Sequence, residues 1–421
     1  MFERTALPDG PRVISARLPG RHSLSAAAYV LAGSRVESRE RSGVAHFMEH
    51  VTFKGTAAYP TTRAVSEAIE GLGGNSNAAT DRESTVYWTR LPGRELERAV
   101  DVLAELTVRP LLRDEDILKE RDIIVEEIRS YRDDPAQHIF NVFDETFFGD
   151  TPLGWEIAGD EESVRGLAPR TVRDFWRTTY RPANIVVALA GDFEHQDAVA
   201  LVSGAFGHGN GPVPDFSAAP SLPNGQRFRL EARPGAQAHL CLGMPALRRD
   251  DPDAWTLELL NTLLGDGASS RLFLKVREEH GLAYDVHSFQ VDYADCGVLE
   301  IYAGVDPDRL EAAMAAILLE LARLRDDLVP EAELAKARAY ARGRLEIRLE
   351  EGRHLASWIG VQEALHDRVL TLEEALAAID SVTSESVRAL CERLIRDELL
   401  TLAVIAPSRR ARRLERSFRL P

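Results

Sequence analysis

Residues 171–191 read TVRDFWRTTYRPANIVVALAG, and residues 386–406 read SVRALCERLIRDELLTLAVIA. The two stretches align without a gap at an offset of 215, helical pattern on helical pattern and apolar strand on apolar strand. Such long-range self-similarity points to duplication of one α+β unit. Working outward, the first half opens with alternating apolar segments at 12–17 and 24–32, then a helix carrying His46, a helix near 61–72 and a strand pair over 75–91. Helices follow over 95–107, 114–132 and 136–148. The second half repeats the plan, with strands at 227–231 and 238–243, helices from Pro252 and Ser269, a strand pair over 284–303 and several more helices. Residues 207–225, GHGNGPVPDFSAAPSLPNG, are dense in Gly and Pro without periodicity, which reads as a linker. The expected architecture is α+β: two homologous α/β sandwich domains, 1–210 and 226–421, joined by a linker at 211–225. Each domain is a mixed, mainly antiparallel sheet covered by helices.

Composition bounds the function. A chain of 421 residues with 44% hydrophobic content can bury substantial cores. No apolar run approaches the ~18 residues that span a bilayer, and MFERTALPDGPRV lacks the apolar core of a secretory signal. A bacterial cytosolic protein with no membrane partner is expected. Cys241, Cys296 and Cys391 are far apart and outside any CxxC pattern, against a disulfide framework or a cysteine zinc site. The net charge of −16 argues against nucleic acid, which needs a basic face, and favours basic peptides. The one basic run, RRARRLERSFR near the end, reads as a solvated tail. Gly71-Leu72-Gly73-Gly74 lacks the Gly-Lys-Ser/Thr ending of a P-loop and leads into a strand, so phosphate binding is not expected.

The chemistry lies in His46-Phe47-Met48-Glu49-His50. On a helix, residues three and four apart are neighbours, so His46, Glu49 and His50 share a face. Two imidazoles at i and i+4 can grip a Zn²⁺ ion, and the adjacent carboxylate can take a proton from metal-bound water. Surface histidines beside a solvated glutamate are the alternative. A catalytic zinc needs a third protein ligand and an open position. The helical pattern of 114–132, DEDILKERDIIVEEIRSYR, turns Lys119, Asp122, Glu126 and Arg129 to solvent. Ile117, Glu120, Ile123, Ile124, Glu127, Ile128 and Tyr131 then form the buried side. A buried carboxylate is costly unless paired or metal-bound. Glu127 is therefore a candidate ligand and Glu120 a candidate partner for a ligating imidazole, unless both bond to arginines such as Arg121 or Arg129.

HFMEHVTFKGT, followed 77 positions after His50 by Glu127 in ERDIIVEEIRSYRDDP, resembles the inverted-zincin peptidases of family M16. The resemblance extends to GGNSNAATDRESTVYW at 73–88 and SSRLFLKVREEHGLAY at 269–284. The length suits the M16B branch, which is similar to mitochondrial processing peptidase and consists of short chains that pair. The resemblance implies the LuxS/MPP-like metallohydrolase fold and one zinc per chain on His46, His50 and Glu127. It also implies Glu49 as general base, with Glu120 in support. Arg277, seven residues before Tyr284, is similar to the Arg and Tyr by which the family binds substrate and stabilises the transition state; structural roles are the alternative for both. Phe47, Asn77 and Ala78 are implied substrate contacts, the last two on a strand whose edge can add an extended peptide. The second unit has no HxxEH, so only the first should carry metal.

The expected function is a zinc endopeptidase hydrolysing unfolded peptides or small polypeptides in an enclosed chamber, with Glu49 activating zinc-bound water. It would work as a homodimer, or as a heterodimer with a related M16 chain. By resemblance, Arg277 and Tyr284 would act on the zinc site of the other copy. The alternative is a noncatalytic M16-like scaffold that binds peptides, a role typical of chains whose HxxEH and distal glutamate are incomplete. Here the set is complete.

Overall fold

The computed structural model describes residues 2–209, 227–366, 368–407 and 414–421, and the expected linker at 211–225 lies outside them. In chain order the first part contains β1 (Glu3–Ala6), β2 (Arg12–Arg17), β3 (Ser23–Val30), α1 (Val44–Thr52), α2 (Thr62–Glu70), β4 (Asn75–Thr80) and β5 (Thr85–Pro92). It continues with α3 (Leu96–Val108), α4 (Asp114–Asp133), α5 (Pro135–Phe148), α6 (Glu161–Gly166), α7 (Pro169–Thr179), β6 (Ile185–Gly191) and α8 (His195–Phe206). The second part has β7 (Phe228–Ala232), β8 (Ala238–Ala246), α9 (Ala254–Leu264), a π-helical turn over Phe273–Glu279, β9 (Ala283–Asp292) and β10 (Gly297–Val305). It closes with α10 (Leu310–Asp326), α11 (Glu331–Leu349), α12 (Gly352–Leu365), α13 (Leu372–Ser381), α14 (Ser384–Leu394), β11 (Thr401–Ala406) and α15 (Leu414–Ser417).

The duplication is visible element by element. Shifting α7 by 215 gives the bounds of α14, and shifting the short 3₁₀ turn at Pro182–Asn184 gives the one at Asp397–Leu399. The sheets run β1-β2-β6-β3-β5-β4 and β7-β11-β8-β10-β9, the same order once β1 is set aside. In each, one pair is parallel, β2 with β6 and β7 with β11, and every other pair is antiparallel.

By contact the chain divides into two compact units. One is Met1–Arg129, Glu156–Phe216 and Glu346–Thr371; the other is Ser130–Trp155, Ser217–Leu345 and Leu372–Pro421. Neither is a continuous half of the sequence, because α5 joins the second unit and α12 the first. The physical reason is that both faces of each sheet are apolar. Strand β6 is buried at every residue, and so is β11. In the first unit Val13, Ala26, Ala28, Val187 and Leu189 share a core with α1 and α3. Ile14, Ala27, Tyr29, Val186 and Ala188 alternate with these and are also buried. On the first sheet, α12 packs across β6, β3 and β2; on the second, α5 packs across β11, β8 and β7.

Glycine sets the approach of both helices. A Cβ on Gly360 of α12 would lie 2.4 Å from the Tyr29 ring. In the second unit the sizes are exchanged, and a Cβ on Gly243 of β8 would lie 2.3 Å from the Phe143 ring of α5. Among the described residues no helix is long and apolar enough to cross a membrane.

Candidate metal centre

In α1, Val44, Ala45, Phe47, Met48, Val51 and Thr52 are buried, while His46, Glu49 and His50 are half-buried and share the remaining face. Glu37, itself buried, fixes the start of the helix by accepting hydrogen bonds from the backbone N–H groups of Gly43 and Ala45, both at 2.7 Å. Burial pushes the Glu37 carboxyl up to about 8 against those two bonds. Along α4, Ile117, Glu120, Ile124 and Ile128 are buried as the helical pattern required. Three of its expected buried positions are not, Glu127 being half-buried. Ile123 is 51% exposed and Tyr131 41% exposed; the buried face is turned toward Val125, on the opposite flank from Ile123.

His46, His50 and Glu127 converge: one ligand atom from each lies within 4.8 Å of the others. His46 Nε2 is 3.8 Å from Glu127 Oε1, and His50 Nε2 is 3.3 Å from Glu127 Oε2. Bonds of about 2.1 Å at the tetrahedral angle put donor atoms about 3.4 Å apart, so two imidazole nitrogens facing the two oxygens of one carboxylate at these spacings fit a zinc site with a fourth position left over. Glu120, 2% exposed, accepts from His50 Nδ1 at 2.9 Å and pairs with Lys54 Nζ at 2.6 Å. Its partners are thus a histidine and a lysine. Arg129 instead bonds Glu126 and Glu161, and Arg121 bonds the Leu167 carbonyl. Bonding Nδ1 to a carboxylate fixes the ring and leaves Nε2 facing Glu127, the arrangement that supports a metal-ligating histidine.

The two imidazoles are tuned differently. Burial, then the nearby His50 charge, pushes His46 down to about 4, so it is neutral at ordinary pH. For His50, burial is outweighed by hydrogen bonds to Glu120 and Glu127, which hold the ring up at about 9. Burial raises the carboxyl of Glu49 above its ordinary range, opposed by a hydrogen bond donated by Thr80 Oγ1 at 2.6 Å and by His50. A carboxylate raised toward neutrality is suited to general-base work. Nearby, Tyr87 and Tyr180 share a hydroxyl–hydroxyl bond of 2.9 Å, and burial raises both phenols.

Strand β4 is the free end of the first sheet. Its exposure alternates, with Asn77 and Ala79 turned outward and Ala78 and Thr80 half-buried, so the expected contacts Asn77 and Ala78 lie on opposite faces. Phe47 is a correction. It is 0% exposed, in the core with Met48 and Val51, since it sits on the far side of α1 from the His46 face and offers substrate no surface. Arg277 and Tyr284 belong to the second unit. The Arg277 guanidinium stacks on the rings of Phe273 and Tyr284 at 4.7 and 5.5 Å, and Tyr284 is 76% exposed.

Lys54, Thr80 and Glu37 were not expected. Two had a signal: Lys54 is four residues beyond His50, and Thr80 is two beyond Ala78 on the same strand face. Glu37 comes from a turn before the helix, where no periodicity announces it.

Comparison with known proteins identifies the family. An uncharacterised zinc protease of Streptomyces coelicolor is 35% identical over 412 residues, covering 96% of this chain and 89% of that protein. This chain belongs to peptidase family M16. Residues 12–161 match the profile described as Insulinase (Peptidase family M16), and 167–340 match the Peptidase M16 inactive domain. Mouse mitochondrial-processing peptidase subunit beta is 30% identical over 418 residues, covering 96% of this M16 chain and 84% of the subunit. The crystal structure of a protease from Helicobacter pylori superposes with a TM-score of 0.88 at 21% identity, covering 97% of this chain and 99% of that one, a likeness of fold.

Proposed function

We propose that this M16 chain is a zinc-dependent endopeptidase acting on unfolded peptides or small polypeptides. The observation that carries the reading is the convergence of two imidazole nitrogens on the Glu127 carboxylate, His46 Nε2 at 3.8 Å from Oε1 and His50 Nε2 at 3.3 Å from Oε2, with Glu49 on the same helical face. His46, His50 and Glu127 would hold one zinc per chain, and among the described residues no other such group occurs. Bound there, zinc supplies a Lewis acid and acidifies water.

The chain's own residues do the rest. Glu120 and Lys54 hold the His50 ring in register. Glu49, steadied by Thr80, takes a proton from the attacking water on its carboxylate and returns it to the leaving amine. An extended substrate adds to the free edge of β4 through main-chain hydrogen bonds, which tolerates many sequences. Two copies of this chain, or this chain and a related one, form the working assembly. The purified chain should cleave an unstructured peptide, lose that activity to a chelator and regain it with about one equivalent of zinc. Cleavage that survives complete metal removal would overturn the proposal.

A further inference from the structure

The sheet of the first unit carries a slot of about 210 Å³ on the face that α12 covers. Its walls are Ala27, Tyr29, Trp88, Ala356 and Ser357, and it reaches Ala79 on the edge strand β4. The Arg353 guanidinium lies over the Trp88 ring, 3.9 Å from its centroid. Nearby, Arg90 pairs with Glu351 at 3.2 Å. Arg353 is exposed and forms no ion pair among the described residues, so its charge is available to an incoming group.

The second unit shows that this fold need not leave such a slot. Helices α5 and α12 have equal length, and an offset of 217 carries Phe143 onto Gly360, the residues at the helix-to-sheet contacts. The same offset carries Phe140 onto Ser357. The Phe140 ring fills its site, 5.5 Å from both Phe289 on β9 and Tyr302 on β10, the counterparts of β4 and β5. In the first unit a serine stands where that ring would be, beside a free sheet edge.

We propose that this slot is a specificity subsite for polypeptide, taking an apolar side chain or stem whose carboxylate lies against Arg353. The inference rests on the peptidase reading for what is bound, and it assigns Arg353 and Ser357 a role in substrate choice. A stacked guanidinium is pre-oriented for a carboxylate, and the aromatic and alanine walls accept apolar surface. The carboxylate is either the C-terminus of a peptide or an internal Glu or Asp.

Three fluorescent, unstructured peptides separate the sources: one with a free C-terminal Phe, the same peptide amidated, and an amidated form with one internal Glu. Each is titrated by anisotropy into zinc-loaded Glu49→Gln protein, alone and with Arg353→Met, Arg353→Lys or Ser357→Phe added, and circular dichroism checks each fold. At least one carboxylate-bearing peptide should bind about tenfold tighter than the plain amide, the order expected of one charge-assisted contact. Arg353→Met should erase that ratio, Arg353→Lys should keep part of it, and Ser357→Phe should weaken binding by occupying the slot. An unchanged ratio in Arg353→Met, or no carboxylate preference at all, overturns the subsite. Wild-type cleavage of all three peptides at equal rates would do so too, while leaving the peptidase reading standing. Arg353-dependent binding without wild-type cleavage would support the subsite and overturn the peptidase reading.

Discussion

Zinc affinity should depend on pH through one proton, and the structure says whose. In the metal-free chain His46 is held down at about 4 and His50 up at about 9. Between pH 5.5 and 7, zinc must therefore displace a proton from His50 but none from His46. At pH 6 the competition spans about three pH units, which is about 4 kcal/mol or a 1000-fold weakening relative to the fully deprotonated site. The apparent Kd should fall about tenfold per pH unit across this window, which lies below the range near pH 7 where bound water ionises. Competition against a chromogenic chelator measures the slope, and calorimetry in buffers of different ionisation enthalpy counts the proton. Glu120→Gln separates two effects. It removes the carboxylate that keeps His50 charged, flattening the slope, and it also removes the ring's support, which typically costs 10–100-fold in intrinsic metal affinity. A flat Kd from pH 5.5 to 7 in the wild type, or release of two protons per zinc, would refute the reasoning.

Thr80→Val should move the acid limb of the kcat/KM profile to higher pH, because the hydrogen bond it removes holds the Glu49 carboxyl down and the base acts only when ionised; a limb that stays put removes Thr80 from the machinery. Glu37 has a folded-state carboxyl raised from 4.5 to about 8, so the stability it contributes is present below pH 4.5 and lost as pH rises to about 8. Melting curves of Glu37→Gln should accordingly decline less than wild type between pH 5 and 8, and parallel curves would contradict this. For the assembly, Glu49→Gln and Tyr284→Phe, each inactive alone, should regain activity when dissociated and mixed if Tyr284 serves the other copy's metal centre; a mixture that stays dead sinks the shared-site proposal.

Much of this was legible in the sequence because it is local or periodic. The 215-residue repeat carries helix onto helix, and the face of His46, Glu49 and His50 follows from helical spacing alone. Glu120 stood out because a carboxylate among isoleucines needs a partner. What failed or was missing depended on tertiary packing. No pattern in 135–148 or 352–365 says that each helix covers the sheet of the other half. The same spacing argument that grouped His46 with His50 already turns Phe47 inward, so its assignment to substrate came from resemblance and not from geometry. Ile123 looks apolar enough to be buried, yet the buried face of α4 turns toward Val125 on the other flank. The slot under Arg353 could not be read at all, since it exists only through a serine replacing a phenylalanine at matched positions of two helices.

The central claim is that Glu49 is the base and not a ligand. Its most direct test is to measure zinc content and turnover of an unstructured peptide on the same preparation of Glu49→Gln, beside wild type. The proposed roles predict about one zinc per chain in both and, in the variant, turnover reduced by at least the ~100-fold that a general base contributes. Zinc lost together with activity, or activity kept without Glu49, would contradict it.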